Sequence, residues 1–126
     1  MTDMRTPLSR VRGLGSARAG TEHFWLQRLT AVANAVLITF FVILLVSLHD
    51  EPYEGVRAAF SSPLVGLAMA LVVISATVHM RLGMQVIIED YVHGAAKLPL
   101  VLLNTFFAIA VAGACLFAIV KMSFGA

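Results

Sequence analysis

The chain has 126 residues and a formal net charge of +2, with 60% apolar and only 13% charged residues. Its mean hydropathy of +0.90 lies far outside the range of a soluble domain. The composition therefore argues against a soluble enzyme and predicts an all-α membrane protein without an extramembrane domain.

Residues 1–27 are predicted to form an amino-terminal arm on the cytoplasmic side. The arm is rich in arginine and faintly resembles a mitochondrial transit peptide, but it lacks the apolar core of a secretory signal. We therefore expect it in the mature protein. The segment Thr21–Trp25 is typical of a helix start with aromatic residues at the membrane interface. The arm is expected to contact lipid headgroups or an acidic partner rather than nucleic acid.

Residues 28–126 contain three apolar runs, each long enough to cross a bilayer, which needs ~20 mostly apolar residues. They predict a three-helix transmembrane domain with spans at about 28–48, 63–90 and 98–120. Small residues recur at helical spacing in each run, which is typical of helix-packing seams. Cys115 is the sole cysteine, so a disulfide within the chain and covalent haem attachment are excluded.

The distribution of charge predicts the orientation. Positive residues precede or open the first span, the first loop is mainly acidic, and the second loop carries Lys97. By the positive-inside rule, the amino terminus and second loop are cytoplasmic, and the carboxy terminus is outside. The arginines at the amino-terminal side are Arg5, Arg10, Arg12, Arg18 and Arg28.

His79 is the histidine expected at membrane depth, because His23, His49 and His93 lie near or beyond the predicted ends of the spans. It could be a core histidine bonded to a backbone carbonyl or to a Ser/Thr hydroxyl on another helix. Ionisable groups inside membranes are costly, however, and commonly functional. A neutral imidazole in this position could ligate haem iron, with the other ligand coming from another chain or with the iron five-coordinate.

Two arginines are further candidates. Arg81 lies two residues after His79, so it points about 200° away on a helix. It could snorkel, pair with a carboxylate on another helix or reach a haem propionate from the flank. Arg28 opens the first span, where it could be an interfacial anchor or contact a propionate or a quinone.

Asp90 and Tyr91 end the second span on the predicted inner face, with Asp90 eleven residues after His79. The plain interpretation is an interfacial tyrosine beside a helix-terminal acid. A tyrosine hydroxyl can also donate a hydrogen bond to a quinone carbonyl, and an adjacent carboxylate can relay protons from water. The pair therefore fits either an interfacial anchor or a quinone site on the inner face.

The stretch His79–Gly94 resembles the second-helix signature of the succinate dehydrogenase hydrophobic membrane anchor, the D subunit of complex II. The shared pattern is a histidine, a glycine one turn later at Gly83, and Asp-Tyr eleven residues after the histidine. The Gln27–Ala31 opening is also similar to the family, and the amino-terminal Arg-Thr-Pro-Leu…Gly-Leu-Gly-Ser stretch is similar to its alphaproteobacterial members.

The resemblance implies half of a heterodimeric anchor bundle in a bacterial inner membrane. His79 would be one axial ligand of haem b, with the other from the cytochrome b556 subunit. Tyr91 would bind ubiquinone with Asp90 beside it. Arg28 would be a propionate or quinone neighbour, and Arg81 a propionate contact. Other members carry different residues at the position of Arg81. The iron–sulfur and flavoprotein subunits of succinate dehydrogenase would be further partners.

The function expected from this resemblance is a membrane anchor of succinate:ubiquinone oxidoreductase, without catalytic activity of its own. It would link succinate oxidation in the citric acid cycle to the respiratory chain. Two alternatives stay open from the sequence: an anchor of a quinol:fumarate reductase, and a small non-redox helical membrane protein in which His79 and Arg81 form a polar pair.

Overall fold

Three long helices dominate the computed structural model, which describes residues 6–13 and 19–125. The elements follow in the order α1 (Pro7–Val11), α2 (Ala19–Ser47), α3 (Tyr53–Phe60), α4 (Pro63–Tyr91), a 3₁₀ turn (Gly94–Ala96) and α5 (Lys97–Ser123). Arg5 and Arg18 of the predicted arm lie outside the described residues. The all-α prediction is confirmed, with three helices that are long and apolar enough to cross a membrane.

The helices are longer than the apolar runs from which they were predicted. α2 and α4 have 29 residues each, which gives about 44 Å at 1.5 Å per residue, against a hydrocarbon core of about 30 Å. α2 begins at Ala19, so its first turns include Glu22 and the aromatic pair Phe24 and Trp25. Hydropathy marks where a helix becomes apolar, whereas hydrogen bonding extends it into the polar interface.

α4 lies at the centre of the fold and packs against both α2 and α5. In the described part of the chain, the backbones of α2 and α5 do not approach each other closely. The short helix α3 packs on the adjoining ends of α4 and α5. The three long helices therefore form an open, layered arrangement rather than a closed bundle.

One half of this arrangement has an apolar core, near the end of the helices where α3 lies. Met69, Val72 and Ile119 are buried there. Partly buried apolar side chains surround them: Leu37, Phe40, Phe41, Leu44, Phe60, Val65 and Val73. The Ser123 hydroxyl donates to the carbonyl oxygen of Phe60 at 3.1 Å, which joins α5 to the end of α3.

The opposite half buries Leu82, Ile88 and Ala108 and adds polar contacts to the backbone. The Asn104 side-chain amide on α5 donates to the carbonyl oxygen of Arg81 on α4 at 2.9 Å. The Lys97 ammonium donates to the carbonyl oxygen of Glu89 at 3.3 Å. Gly94, with φ of 76°, makes the tight turn between the two helices. These contacts fix α5 against the end of α4 that carries Asp90 and Tyr91.

Candidate functional site

His79 lies deep within α4 and faces α2. It is twelve residues from Tyr91 and sixteen from Pro63, or roughly 18 Å and 24 Å from the two ends of the helix. Its ring Nδ1 lies 3.0 Å from the Thr30 hydroxyl oxygen on α2. The structure thus has the hydroxyl contact that a core histidine would make, but this contact uses only one of the two ring nitrogens.

The other face of His79 borders a groove of about 390 Å³ between α2 and α4. Small residues leave room along it, and histidine, glutamine and arginine side chains supply polar groups. A Cβ added at Gly83, one turn after His79, would meet just one neighbour, Gln27 Nε2 at 3.7 Å. The groove is lined by Gly20, His23, Phe24, Gln27, Arg28, Ala31, His79 and Val86.

Two polar atoms on the α2 wall of this groove are buried without a hydrogen-bond partner among residues 6–13 and 19–125. They are His23 Nε2 and Gln27 Oε1. A buried polar group without a partner costs free energy unless interfacial water or a group outside the chain satisfies it. The groove therefore presents unsatisfied hydrogen-bonding capacity to whatever occupies it.

His23 does not reach the level of His79. It precedes Thr30, the residue in contact with His79, by seven positions, which places it about 10 Å further along the axis of α2. Two imidazole nitrogens on the same iron must lie within about 4 Å of each other, given metal–nitrogen distances of ~2 Å. Among the described histidines, no second one therefore lies at the depth of His79.

Arg28 lies at the mouth of the groove. Its guanidinium carbon is 5.3 Å from the centre of the Phe24 ring, a cation–π distance. No carboxylate of the described residues forms an ion pair with it. Phe24 in turn packs edge to face on Trp25, with ring centres 5.8 Å apart. The aromatic pair holds a cation beside the groove without neutralising it.

Arg81 occupies a different groove, of about 140 Å³, between α4 and α5. Its Nε is buried without a hydrogen-bond partner in the described chain. Ala108 and Ala112 on α5 line the same groove. This position follows from the helical rotation between positions 79 and 81, so the structure does not bring Arg81 and His79 together.

Asp90 and Tyr91 end α4 at the membrane-surface side of the His79 groove, and both are exposed. Tyr91 is 80% exposed, and neither residue lines the groove. Asp90 is about 16 Å from His79 along the helix axis. The pair is therefore available to a group or a subunit outside this chain.

Residues 2–120 match the family described as the succinate dehydrogenase/fumarate reductase transmembrane subunit. The chain belongs to this family. Its three long apolar helices agree with a multi-pass membrane protein.

Curated relatives match this chain over most of its length. It is 35% identical over 121 residues to the succinate dehydrogenase hydrophobic membrane anchor subunit of Paracoccus denitrificans, covering 96% of this chain and 94% of the relative. It is 28% identical over 90 residues to the same subunit of Rickettsia bellii, covering 71% and 72%. The membrane anchor subunit of Reclinomonas americana is 30% identical over 80 residues, covering 61% and 67%. No solved structure matches the chain.

The structure adds residues to the site that were not predicted from the sequence. His23, Gln27, Thr30 and Asn34 follow one another at intervals of four, three and four residues. This spacing places them on one face of α2. A polar stripe that continues from the arm into the first apolar run was therefore a signal for the face that meets His79.

Proposed function

We propose that this chain is the membrane anchor of a succinate:ubiquinone oxidoreductase, where it contributes one axial ligand of haem b and part of the quinone site. The observation that carries the proposal is His79, deep in a membrane helix and beside a groove with unsatisfied polar atoms. Membership of the family gives the setting, since its name covers succinate dehydrogenase and fumarate reductase.

The residues around the groove fit a haem. Nε2 of His79 has no hydrogen-bond partner among the described residues, so it is free to ligate iron. Arg28 offers a cation without a carboxylate partner, which suits a haem propionate or a quinone oxygen. When bound, the haem would supply a one-electron carrier inside the bilayer. His79 and Arg28 would then hold and orient it.

A further histidine to hold the haem would come from a partner subunit, because no other described histidine lies at the depth of His79. We assign this role to the cytochrome b556 subunit. The open arrangement supports it: the backbones of α2 and α5 flank α4 without approaching each other closely, which leaves faces for a second anchor chain.

Tyr91 and Asp90 are proposed to form this chain's part of the ubiquinone site. The exposed Tyr91 hydroxyl would donate a hydrogen bond to a quinone carbonyl, and Asp90 would accept and deliver protons from the aqueous phase. The cytochrome and iron–sulfur subunits would complete the pocket. Both residues lie at a membrane surface, where electrons and protons can arrive together.

Arg81 is proposed as an ion-pair or propionate contact. Its place between α4 and α5, away from the His79 groove, favours a carboxylate on a neighbouring helix. Inside a membrane a guanidinium needs such a partner to offset the cost of its burial.

The end of the helices with Asp90 and Tyr91 is proposed to face the cytoplasm of a bacterium, with the protein in the inner membrane. The beginning of α2 and the basic residue Lys97 lie at this same end. The iron–sulfur and flavoprotein subunits would dock there. Attaching a membrane-impermeant label to a single cysteine at position 10, in a Cys115→Ser background, would test the orientation; labelling from the outside would reverse it.

Affinity purification through a tag on this chain tests the function itself. We expect the flavoprotein, iron–sulfur and cytochrome subunits to co-purify and the complex to reduce ubiquinone with succinate. A complex that lacks these subunits would contradict the proposal and favour a non-redox membrane protein. Activity only from quinol to fumarate would instead assign the reverse direction, although the relatives named above are succinate dehydrogenase subunits.

A further inference from the structure

The Thr30 hydroxyl has three neighbours that together restrict where its hydrogen can be. Its oxygen lies 2.8 Å from the carbonyl oxygen of Leu26 and 3.2 Å from that of Gln27. It also lies 3.0 Å from Nδ1 of His79. Thr30 is only 8% exposed, so water does not compete for these contacts.

Counting donors and acceptors decides between the two tautomers of the His79 ring. A hydroxyl has one hydrogen, and carbonyl oxygens can only accept. If the hydroxyl hydrogen points to Leu26, as the 2.8 Å distance favours, Nδ1–H can donate to the hydroxyl oxygen and both contacts are hydrogen bonds. If it points to Nδ1, the contact with Leu26 has no hydrogen. In a low-dielectric interior the arrangement with two bonds is the more stable.

We infer that Thr30 is a positioning residue, which holds the proton of His79 on Nδ1 and leaves Nε2 as a lone-pair donor toward the α2–α4 groove. This inference rests on the proposed function, since it gives Nε2 to haem iron. The hydrogen bond made by one ring nitrogen sets the state of the other, and such outer contacts also raise the basicity of a metal-bound histidine.

Ser75 makes a separate contact with the backbone of Thr30. Its buried hydroxyl donates to the carbonyl oxygen of Thr30 at 3.4 Å. Because Ser75 and His79 are four residues apart, they lie on the same face of α4 and meet the same residue of α2. One contact reaches the backbone of Thr30 and the other its hydroxyl, so the effects of packing and of proton placement can be separated by substitution.

Substitution of Thr30 in the assembled complex tests this inference. Thr30→Val keeps the shape and removes the hydroxyl, whereas Thr30→Ser keeps the hydroxyl. Thr39→Val is the matched control, because Thr39 on α2 makes the same bond to a carbonyl four residues earlier, at 2.7 Å to Ala35, without a histidine partner. Ser75→Ala removes the backbone contact but leaves the Thr30 hydroxyl in place.

The measurements are the haem content and the haem midpoint potential of each purified complex. Without the Nδ1–H bond the imidazole is a weaker donor to ferric iron, so Thr30→Val should raise the potential. We expect up to about a tenfold rise in the ratio of reduced to oxidised haem at a fixed ambient potential, equal to ~59 mV for one electron. Thr30→Ser, Thr39→Val and Ser75→Ala should keep the wild-type potential.

The outcomes separate this inference from the haem assignment. A wild-type potential and full haem content in Thr30→Val would overturn the positioning role while His79 could still be a ligand. Haem that survives His79→Leu unchanged would overturn the haem assignment itself. If Thr30→Val and Thr30→Ala both lose haem, retention in Thr30→Ser supports the hydroxyl role, and loss in all three variants contradicts it.

Discussion

The two halves of the interface between α2 and α4 differ in polarity and in whether their buried polar atoms have hydrogen-bond partners. In the half near α3, Met69 and Val72 are buried among apolar side chains of α2. In the half near Tyr91, His79 meets Thr30, and the groove beside them has buried polar atoms of His23 and Gln27 without partners. The same two helices therefore form an apolar seam near α3, whereas the unpartnered polar atoms of α2 lie from its middle, at Asn34, toward His23.

This difference suggests that one half of the helix pair serves packing and the other serves binding. Lipid and apolar side chains offer similar surroundings, so an apolar seam gains mainly from close packing. Unpartnered polar atoms weaken a membrane fold unless something outside the chain satisfies them. The apolar half is thus expected to set the stability of the helix pair, and the polar half to bind the cofactor. Substitutions in each half can test that division.

His79→Leu should have the largest effect, with loss of the b-type haem signal from the assembled complex. The substitution removes the imidazole but keeps an apolar side chain of similar size, so helix packing should largely persist. The measurement is the haem-to-protein ratio of the purified complex. His49→Ala is the control, because His49 lies past the opposite end of α2 beside Asp50. Equal haem content in both variants would contradict the assignment of haem binding to the half near His79.

Tyr91→Phe should slow quinone reduction without changing assembly. Loss of one hydrogen bond to a reacting quinone costs on the order of 1–3 kcal/mol, which is roughly tenfold to hundredfold in rate. The decrease should appear in succinate-to-ubiquinone turnover but not in reduction of a soluble dye by the dehydrogenase. Asp90→Asn should follow the same pattern. If both variants reduce quinone at wild-type rates, the pair is an interfacial anchor.

Met69→Ala should destabilise the apolar half and leave the haem signal intact. Truncation of a buried methionine creates a cavity and costs about 2 kcal/mol or more. We would measure the thermal midpoint of the detergent-solubilised complex together with its haem content. Leu67→Ala is the matched control, because Leu67 is on the same helix and 61% exposed. Haem loss before any fall in the midpoint would contradict the division between the halves.

Gly66→Ala should have the smallest effect, a relative destabilisation of about 1 kcal/mol. A Cβ at Gly66 would collide with the Ser123 hydroxyl oxygen, which would have to turn away from its bond to Phe60. Gly113→Ala on α5 is the control, because a Cβ there meets nothing within 4 Å. Both variants gain the same helix propensity, so equal thermal midpoints would show that the Ser123 bond contributes nothing.

The three membrane helices could be predicted from the sequence because apolar runs of this length report directly on a bilayer. The beginning of α2 could not be placed by hydropathy, since the turns from Ala19 to Gln27 are polar or amphipathic. His79 was predictable as an ionisable group at membrane depth. Its contact with Thr30 was not, because a contact between helices depends on their relative rotation and depth, which one sequence does not give. The helical period predicts that Arg81 lies on a different face from His79. It does not predict the groove that Arg81 shares with Ala108 and Ala112.

The most direct test of the central claim is a reduced-minus-oxidised spectrum of the wild-type complex, purified through a tag on this chain. If the polar half of the α2–α4 interface binds haem through His79, the spectrum should show b-type absorption in stoichiometric amount relative to this chain. A fully assembled complex without haem absorption would contradict the account and leave His79 as a core histidine bonded to Thr30.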